Sequence, residues 1–227
     1  MSDGGTDKVV VEVKDVSKTY ENSVGKTSVL KHIDLTIKKG ELVGIVGDSG
    51  SGKTTLLNLI GGMDSASGGS IVVSGKNITN FNDKQRTLYR RNQVGFIFQD
   101  YNLINELTVY ENMIMPLQLK GVKIDGKTID TLLEKLKLQA KKNNYPMQLS
   151  GGEQQRAAIL RSLISQPDII LADEATGNLD SVNTGTVINL LKYFANKMGR
   201  TILFVTHNNE LAKLCDRIIT IKDGKIV

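Results

Sequence analysis

One short segment constrains the fold of this chain more than any other feature of its sequence. Residues 47–54 read G-D-S-G-S-G-K-T and match the pattern G-x-x-x-x-G-K-[ST] in full. They follow an apolar run, residues 42–46, and precede an apolar helical pattern that Gly61 and Gly62 can end. Glycines let backbone N–H groups converge on phosphate oxygens, and a helix N-terminus adds partial positive charge. The segment therefore predicts a strand–loop–helix unit that binds the phosphates of a nucleotide.

Within this loop, the chemistry of each side chain suggests a role. The candidates for nucleotide contact are Gly47, Ser49, Gly50, Ser51, Gly52, Lys53, Thr54 and Thr55. Lys53 is expected to neutralise the β- and γ-phosphate oxygens during catalysis, and the Thr54 hydroxyl to ligate Mg²⁺. The alternative, a glycine-rich turn that fits by chance, is disfavoured by the strand before it and the helix after it. The Asn-Lys-x-Asp pattern that reads guanine is absent, which counts against a GTPase.

Two further apolar runs, residues 169–172 and 202–205, end close to candidate catalytic side chains. Asp173 and Glu174 follow the first run, and His207 follows the second. Continuous apolar runs are typical of parallel strands, whose carboxyl ends meet at one edge of the sheet, beside the phosphate loop. Asp173 is expected to hold Mg²⁺ directly or through water, and Glu174 to act as general base on the attacking water. His207 is expected to contact the γ-phosphate or to position that water.

A second helix start also has the features of an anion site. Residues 149–156 read L-S-G-G-E-Q-Q-R, in which Ser150 and Glu153 form a capping box. Gly151 and Gly152 leave the backbone amides accessible. Because one nucleotide needs only one such cradle, the second indicates a nucleotide bound to another subunit, in a head-to-tail pair of chains that shares two ATP. A well-capped ordinary helix explains the capping pattern equally well.

The remaining pattern predicts an α/β fold. Residues 9–13 and 28–37 alternate as antiparallel strands do, with a loop over residues 21–26 between them, and residues 218–227 form a hairpin around Asp223-Gly224. A capping box at Thr108 opens a helix in which Pro116 predicts a kink or an early end.

We therefore predict one unit with a P-loop NTPase core and parallel sheet, a small antiparallel β-subdomain and an inserted α-helical subdomain. The expected bounds are residues 8–40 for the antiparallel subdomain, 41–83 and 164–227 for the ATP-binding core, and 84–163 for the helical subdomain that carries the L-S-G-G motif.

Composition narrows the functional classes at three points. The net charge of +5 comes from scattered basic residues, so no nucleic acid is expected as a partner. Cys215 is the only cysteine, which excludes an intrachain disulfide, and its apolar surroundings predict a buried, unreactive thiol. Residues 1–5 lack the features of a signal peptide, and no stretch approaches the ~18 apolar residues of a transmembrane helix. We therefore expect a cytoplasmic protein, in which any attachment to the membrane comes through a partner.

In their chain order, these motifs resemble those of the ABC ATPases, over about residues 9–227, with residues 149–155 similar to the family's signature motif. The resemblance implies roles for further residues. Around the chain's own nucleotide, Tyr20 stacks on adenine, Gln99 touches Mg²⁺ and senses the membrane partner, and His207 is the switch histidine. Toward the opposite subunit, Asp180 lies in a loop that contacts it, and Ser150, Gly151 and Gly152 bind its ATP. It also implies an ATP-dependent, head-to-tail homodimer that is peripheral on the inner face of the membrane and attached to an integral permease.

Residues 172–181, which read A-D-E-A-T-G-N-L-D-S, and residues 95–99, which read G-F-I-F-Q, are similar to those of one branch of the family, as is the spacer after Tyr20. This branch contains the macrolide-exporter, lipoprotein-releasing, antimicrobial-peptide-resistance and cell-division ATPases. Two departures bear on the rate: Ala175 stands where the branch usually has proline, and Leu160 replaces a small residue of the signature helix. The alternative function is a soluble ABC ATPase that acts on nucleic acid or the ribosome. Its only support is a basic helix start with Lys84, Arg86, Arg90 and Arg91, which a solvated helix face explains better.

Overall fold

A computed structural model describes residues 8–23, 25–123 and 125–227. The interpretation of residues 1–5 and of Val24, within the predicted loop, lies outside these ranges. No helix of the described ranges is both long enough and apolar enough to cross a bilayer.

The strands form two sheets. In chain order they are β1 (Val9–Asn22), β2 (Gly25–Lys38), β3 (Leu42–Val46), β4 (Gly68–Val73), β5 (Lys76–Asn77), β6 (Val94–Ile97), β7 (Ile169–Asp173), β8 (Thr201–Val205), β9 (Arg217–Lys222) and β10 (Lys225–Ile226). The first sheet has the order β2-β1-β4-β5 and is antiparallel. The second has the order β10-β9-β3-β8-β7-β6 and is parallel except for β10 at its edge. The predicted α/β fold with a separate antiparallel sheet is confirmed.

The helices cover the parallel sheet and extend beyond it. They are α1 (Lys53–Ile60), α2 (Asp83–Gln93), α3 (Val109–Lys120), α4 (Gly126–Lys135), α5 (Gly151–Ile164), α6 (Ser181–Met198) and α7 (Asn209–Ala212), with 3₁₀ turns at Gln139–Lys141 and Pro146–Gln148. One hydrophobic cluster joins α1 and the antiparallel sheet to one face of the parallel sheet, and a second joins α6 to the other face. A third cluster holds α3, α4 and α5 together.

The central strands are buried on both faces, as their continuous apolar runs predicted. All five residues of β3 and of β8 are buried. Within β8, Leu203 and Val205 point into the cluster with α1, whereas Ile202 and Phe204 point into the cluster with α6. This two-sided burial places the carboxyl ends of the parallel strands at one edge of the core.

The loop predicted over residues 21–26 is shorter than expected. Glu21 pairs with Lys26 in the ladder and Asn22 with Gly25, so the two strands continue almost to the turn. The side chains of Glu21 and Lys26 also form an ion pair of 3.3 Å. The polar composition of this segment suggested a loop. Here, however, the two paired strands are exposed on both faces, so their sequences do not need to alternate apolar and polar residues.

The sheet pairing differs in detail from the predicted subdomain ranges. β4 and β5, within residues 41–83, belong to the antiparallel sheet, because β4 pairs with β1. β6, within residues 84–163, belongs to the parallel sheet beside β7. The chain therefore leaves the parallel sheet after Ile97, forms the helical segment, and returns at Ile169.

The helical segment contains the predicted capping box but not the early end. Thr108 caps α3, its hydroxyl accepting from the Glu111 backbone N–H and its own N–H donating to the Glu111 carboxylate. Pro116 lies inside α3, which continues to Lys120 and ends at Gly121 in the left-handed conformation. Proline removes one backbone hydrogen-bond donor from the helix. The helix continues beyond Pro116 because Met113 packs in the third cluster and both ends of the helix are capped.

Candidate functional site

The predicted catalytic side chains meet at the carboxyl ends of β3, β7 and β8. The register aligns Val205 of β8 with both Ile45 and Asp173, and the Glu174 N–H donates to the Val205 carbonyl at 3.1 Å. The Thr54 hydroxyl donates to Asp173 Oδ1 at 3.2 Å, across 119 residues of sequence. The phosphate loop and the acidic end of β7 are therefore adjacent, as predicted.

Two glycines of the loop are required by their backbone conformation and by their neighbours. Gly47 has φ 150° and Gly52 has φ 109°, both rare for residues with a side chain. A Cβ on Gly47 would lie 2.0 Å from the Ile221 carbonyl oxygen, and one on Gly52 would lie 2.6 Å from Leu30 Cδ2. Any larger residue would displace the loop from β9 or β2.

The loop presents a cation and an unpaired hydroxyl. The Lys53 ammonium donates to the carbonyls of Gly47 at 2.8 Å and Asp48 at 2.7 Å, so that the buried side chain folds back along the loop. The Ser51 hydroxyl is buried and has no hydrogen-bond partner within the described residues. Buried polar groups are rarely left unpaired, so this pair of groups fits phosphate oxygens of a nucleotide.

Thr54 and Asp173 offer a donor set suited to Mg²⁺. The pKa of Asp173 is raised mainly by burial and further by the charge of Glu174, while the Thr54 hydrogen bond and Lys53 oppose the rise. A buried carboxylate whose negative charge is not balanced by its surroundings is stabilised when a cation binds next to it. Hydroxyl and carboxylate oxygens are the ligands that Mg²⁺ prefers, so the residues present fit the predicted metal.

Glu174 and His207 face each other beside this donor set. Glu174 has a left-handed backbone, with φ 46°, and its side chain is about one-third exposed, at 31%. His207 Nδ1 lies 3.6 Å from Glu174 Oε2, within ion-pair range but beyond a hydrogen bond. A carboxylate that is accessible and close to the metal ligands has the position that a general base needs.

Gln99 lines the same cleft as the predicted metal ligands. This cleft, of about 360 Å³, is also lined by Thr54, Asp173 and Glu174. Asn178, which the sequence did not single out for contact, holds Gln99: its amide donates to the Gln99 carbonyl at 3.2 Å and accepts from Gln99 Nε2 at 3.4 Å. The segments after β6 and after β7 are therefore coupled next to the metal ligands.

The predicted adenine platform is held by two residues that sequence reasoning missed. The Tyr20 hydroxyl donates to Asp64 Oδ2 at 2.8 Å, and the Lys18 ammonium donates to Asp64 Oδ1 at 2.8 Å. Lys18 also lies 4.6 Å from the centroid of the Tyr20 ring. The pKa of Tyr20 is raised by burial and by Asp64, with an opposing effect of the Thr55 hydroxyl. The ring remains 41% exposed and thus accessible to a base.

The L-S-G-G helix start forms a second group of predicted residues. The Ser150 N–H donates to Glu153 Oε2 at 2.8 Å and the Glu153 N–H to Ser150 Oγ at 3.3 Å, which confirms the capping box. A Cβ on Gly152 would lie 2.3 Å from Asn183 Oδ1, so this glycine is required by packing as well as by access to its amide. Asp180 caps α6 and accepts from the Asn183 backbone and side chain at 2.8 and 3.0 Å. Asn183, absent from the predicted residues, thus joins Gly152 to Asp180.

The second group adjoins the first through Tyr101. A Cβ on Gly151 would lie 2.9 Å from Tyr101 Oη, in the segment that follows Gln99. Arg161 of α5 holds this segment by donating to the carbonyls of Tyr101, at 3.0 Å, and Asn102.

The two departures lie in the core, and Cys215 packs against it. Ala175 is buried beside α6, and Leu160 is fully buried among α3 and α4. Their effect on turnover stays a prediction. Cys215 is only half-buried, and burial raises the pKa of its thiol to about 11, which disfavours the reactive thiolate.

Comparison with known proteins identifies close relatives. A family model described as "ABC transporter" matches residues 30–177. The bacitracin export ATP-binding protein BceA of Halalkalibacterium halodurans is 42% identical, over 96% of this chain and 87% of its own. The lipoprotein-releasing system ATP-binding protein LolD of Hyphomonas neptunium is 42% identical over 96% of each chain. The dimeric, post-hydrolysis structure of the ATP-binding cassette MJ0796 with ADP and Pi has a TM-score of 0.86 and 40% identity, covering 95% of this chain and 96% of that one.

Proposed function

Since the chain belongs to the ABC transporter family, we propose that it closes with a second copy of itself around two Mg²⁺–ATP and so drives a separate membrane permease. The chain is the ATP-binding and ATP-hydrolysing subunit of such a transporter. The observation that carries the proposal is the meeting of Lys53, Thr54, Asp173 and Glu174 at one sheet edge. A cation, two oxygen ligands and an accessible carboxylate are the groups that phosphoryl transfer to water requires.

Each of these residues has a chemically distinct task. Lys53 neutralises negative charge on the phosphates. Thr54, Asp173 and Gln99 would hold Mg²⁺, which when bound neutralises charge that develops on the phosphate oxygens. Glu174 orients the attacking water and accepts its proton, and His207 supports that water or the γ-phosphate.

The second group supports a shared site between two chains. Ser150 and Gly152 lie at a helix start whose amides favour anions, yet the cleft of Thr54 and Asp173 is lined by other residues. In a head-to-tail dimer, the helix start of one chain faces the nucleotide of the other. ATP then holds the dimer closed and hydrolysis opens it, a cycle that moves the attached permease.

A groove beside Gln99 supports attachment to the permease. It has a volume of about 430 Å³, and its lining includes the apolar residues Phe96, Phe98 and Leu119 and the cations Arg90 and Arg91. An amphipathic helix with apolar residues and carboxylates complements such a groove. We infer that a cytoplasmic segment of the permease lies here, so that the chain is peripheral on the inner face of the membrane. The groove includes Phe98, next to Gln99, and thus adjoins the metal ligands.

The names of the relatives suggest the class of cargo. BceA is a bacitracin export protein and LolD belongs to a lipoprotein-releasing system. We propose that the permease partner of this chain exports or acts on antimicrobial peptides or lipoproteins, as these names suggest, or on macrolides, as the resemblance to the branch implies.

Replacing the proposed general base tests the chemistry. Glu174→Gln should retain ATP, lose turnover by about 10²–10³-fold because it cannot accept the proton, and accumulate a dimer with ATP. Nucleotide binding, phosphate release and size-exclusion chromatography measure the three properties. Glu210→Gln, an exposed glutamate paired with Lys213, is the matched control and should behave as wild type. Wild-type turnover in Glu174→Gln would remove Glu174 from its role.

Capture of the partner tests the transport function. Tagged Glu174→Gln protein with ATP is incubated with detergent-solubilised native membranes and recovered. We expect an integral membrane protein, and Arg91→Glu should reduce its recovery without affecting ATP binding, because Arg91 is an exposed residue of the groove. Recovery of ribosomes or nucleic acid without a membrane protein would contradict the permease proposal.

A further inference from the structure

Three cations line a cleft between the helical segment and α6. The cleft has a volume of about 500 Å³ and lies between the end of α4, α5 and one face of α6. Its cations are Lys135, Lys137 and Arg156, and none of the described residues that line it is a carboxylate. Asn189 and Tyr193 add uncharged hydrogen-bonding groups. A concave site with one sign of charge concentrates ligands of the opposite sign.

The direct hydrogen-bond partners of Lys135 and Arg156 are neutral groups. Lys135 donates to the Tyr193 hydroxyl at 3.1 Å and lies 5.3 Å from the centre of its ring. Arg156 donates to the Leu136 carbonyl at 3.0 Å and to Asn183 Oδ1 at 3.3 Å. In the part of the chain that the structure describes, no ion pair joins Lys135, Lys137 or Arg156 to a carboxylate. Their charges are therefore available to a ligand.

Glu153 is an acid close to Arg156 in sequence, but it is engaged elsewhere. Its carboxylate accepts from the Ser150 N–H at 2.8 Å and lies 3.8 Å from the Lys141 ammonium. The pKa of Glu153 is lowered mainly by its hydrogen bond with the Ser150 backbone, and the charges of Lys141 and Arg156 add to this effect. Arg156 therefore interacts with Glu153 at longer range, while its direct hydrogen-bond partners are neutral.

The backbone at Lys137 is also unusual for a lysine. Lys137 follows the C-cap of α4 and has φ 54°, a left-handed conformation that glycine adopts more easily. A side chain at this position costs stability, yet it places an ammonium at the cleft. The conformation thus supports a role for the Lys137 side chain beyond ending the helix.

The cleft is connected to the L-S-G-G helix start. Arg156 contacts Asn183 Oδ1, the atom that lies 2.3 Å from the position of a Cβ on Gly152. Asn183 Nδ2 also donates to Asp180 at 3.0 Å. A ligand that drew Arg156 away from Asn183 would therefore act on both Gly152 and Asp180.

We propose that this cleft is a second phosphate-binding site, separate from the nucleotide loop, which takes a phosphate-bearing small molecule or the phosphate of an anionic lipid headgroup. Lys137 and Arg156 bind the phosphate oxygens, and Lys135, placed by Tyr193, binds a further charge. Through Asn183, the ligand acts on the start of α5 and thereby regulates ATP hydrolysis. This regulation rests on the proposed function, whereas binding of the phosphate does not.

The test uses pyrophosphate as the probe and the full chain with Lys53→Ala, which disables the nucleotide loop. Calorimetric titration should show that pyrophosphate still binds. Lys137→Gln in this background should weaken binding about tenfold, the usual effect of losing one charge-assisted hydrogen bond. Lys127→Gln, an exposed lysine on the same helix outside the cleft, should leave the affinity unchanged. Loss of all binding in Lys53→Ala alone, or equal weakening by Lys127→Gln, would overturn the proposal.

Two further measurements identify the source of the phosphate and the coupling. The first measurement is sedimentation of the protein with phosphatidylglycerol vesicles. If sedimentation requires Lys137 and pyrophosphate prevents it, the ligand is a lipid headgroup. If the protein sediments with the vesicles without Lys137, the ligand is a soluble phosphate compound. Hydrogen exchange at residues 150–153 should become faster with pyrophosphate in the Lys53→Ala protein, because the ligand draws Arg156 away from Asn183 behind this helix start. Unchanged or slower exchange would overturn the regulatory part. Normal ATP binding by Lys53→Ala would contradict the proposed function but not this site.

Discussion

Single residues that are distant in sequence prepare the adenine platform. Asp64 accepts hydrogen bonds from Lys18 and from Tyr20, and Lys18 covers one face of the Tyr20 ring. Burial raises the pKa of Asp64, but the hydrogen bonds from Lys18, Tyr20 and the Ser65 backbone outweigh it and lower the pKa overall. The ionised carboxylate therefore fixes the ring before a base arrives, and less order is lost on binding.

Removing this charge should weaken binding without slowing chemistry. Asp64→Asn should raise KM for ATP about three- to tenfold, because Lys18 loses its ion-pair partner and keeps only the Ser65 carbonyl, and the Tyr20 ring is held less firmly. The turnover number should stay unchanged because Tyr20 lies away from the reacting phosphate. Steady-state kinetics separates the two quantities. Glu21→Gln, in the pair with Lys26, serves as the control; an unchanged KM in Asp64→Asn would refute the positioning role.

Residue contacts of this kind mark the limit of sequence reasoning. The loop at residues 47–54 and the Ser150–Glu153 capping box were predicted because their residues are neighbours in sequence. Asn178 and Asn183 were missed because they act on Gln99 and Gly152 across long sequence separations, which no local spacing encodes. Asp180 and Asn183 do have the i, i+3 spacing of a helix cap, a signal that could have identified the pair.

At the scale of elements, the helices of the inserted segment begin with charged caps. The pKa of Glu111 is lowered by hydrogen bonds from the Thr108 backbone and side chain, and that of Glu153 by the Ser150 backbone. Because the pKa is lowered in the folded state, the ionised carboxylate stabilises the fold at pH values above its ordinary pKa of 4.5. This stabilisation is lost as the pH falls through the pKa of the folded state. Acid therefore weakens the helical segment through these caps.

The cap at α3 can be tested through pH. Glu111→Gln should lower the free energy of unfolding at pH 7, and its difference from wild type should vanish below the folded pKa of Glu111, where the wild-type side chain is also neutral. Urea unfolding at a series of pH values measures this. Glu106→Gln, an exposed change just before the cap, should show no such trend. If this difference in unfolding free energy did not vary with pH, the negative charge of Glu111 would not be what stabilises the cap.

Element types were easier to predict than their partners. The apolar runs of β3, β7 and β8 predicted buried parallel strands because only two-sided burial favours such sequences. β6 was included with the helical segment because its four residues follow α2 directly and lack a run of similar length. β4 was included with the core for a related reason, since its pairing with β1 depends on residues more than 50 positions away.

At the scale of the whole molecule, the two groups of site residues predict complementation between chains. Lys53→Ala and Ser150→Arg should each abolish ATPase activity, because every site of either homodimer lacks one half. Mixing the two proteins should restore activity to about a quarter of wild type, since half of the dimers are mixed and each has one intact site. Phosphate release from the mixture measures it. If mixing restores nothing while both variants still dimerise with ATP, each chain must form its site alone.

The order of strands in the parallel sheet also has a consequence for synthesis. β3, which leads into the phosphate loop, is flanked by β8 and β9, and its Leu42 pairs with Ile202 from the last part of the chain. At ribosomal speeds, these flanking strands appear on the order of ten seconds after β3. A nascent chain therefore carries a complete phosphate-loop sequence before the strands that flank β3 in the folded sheet have been made.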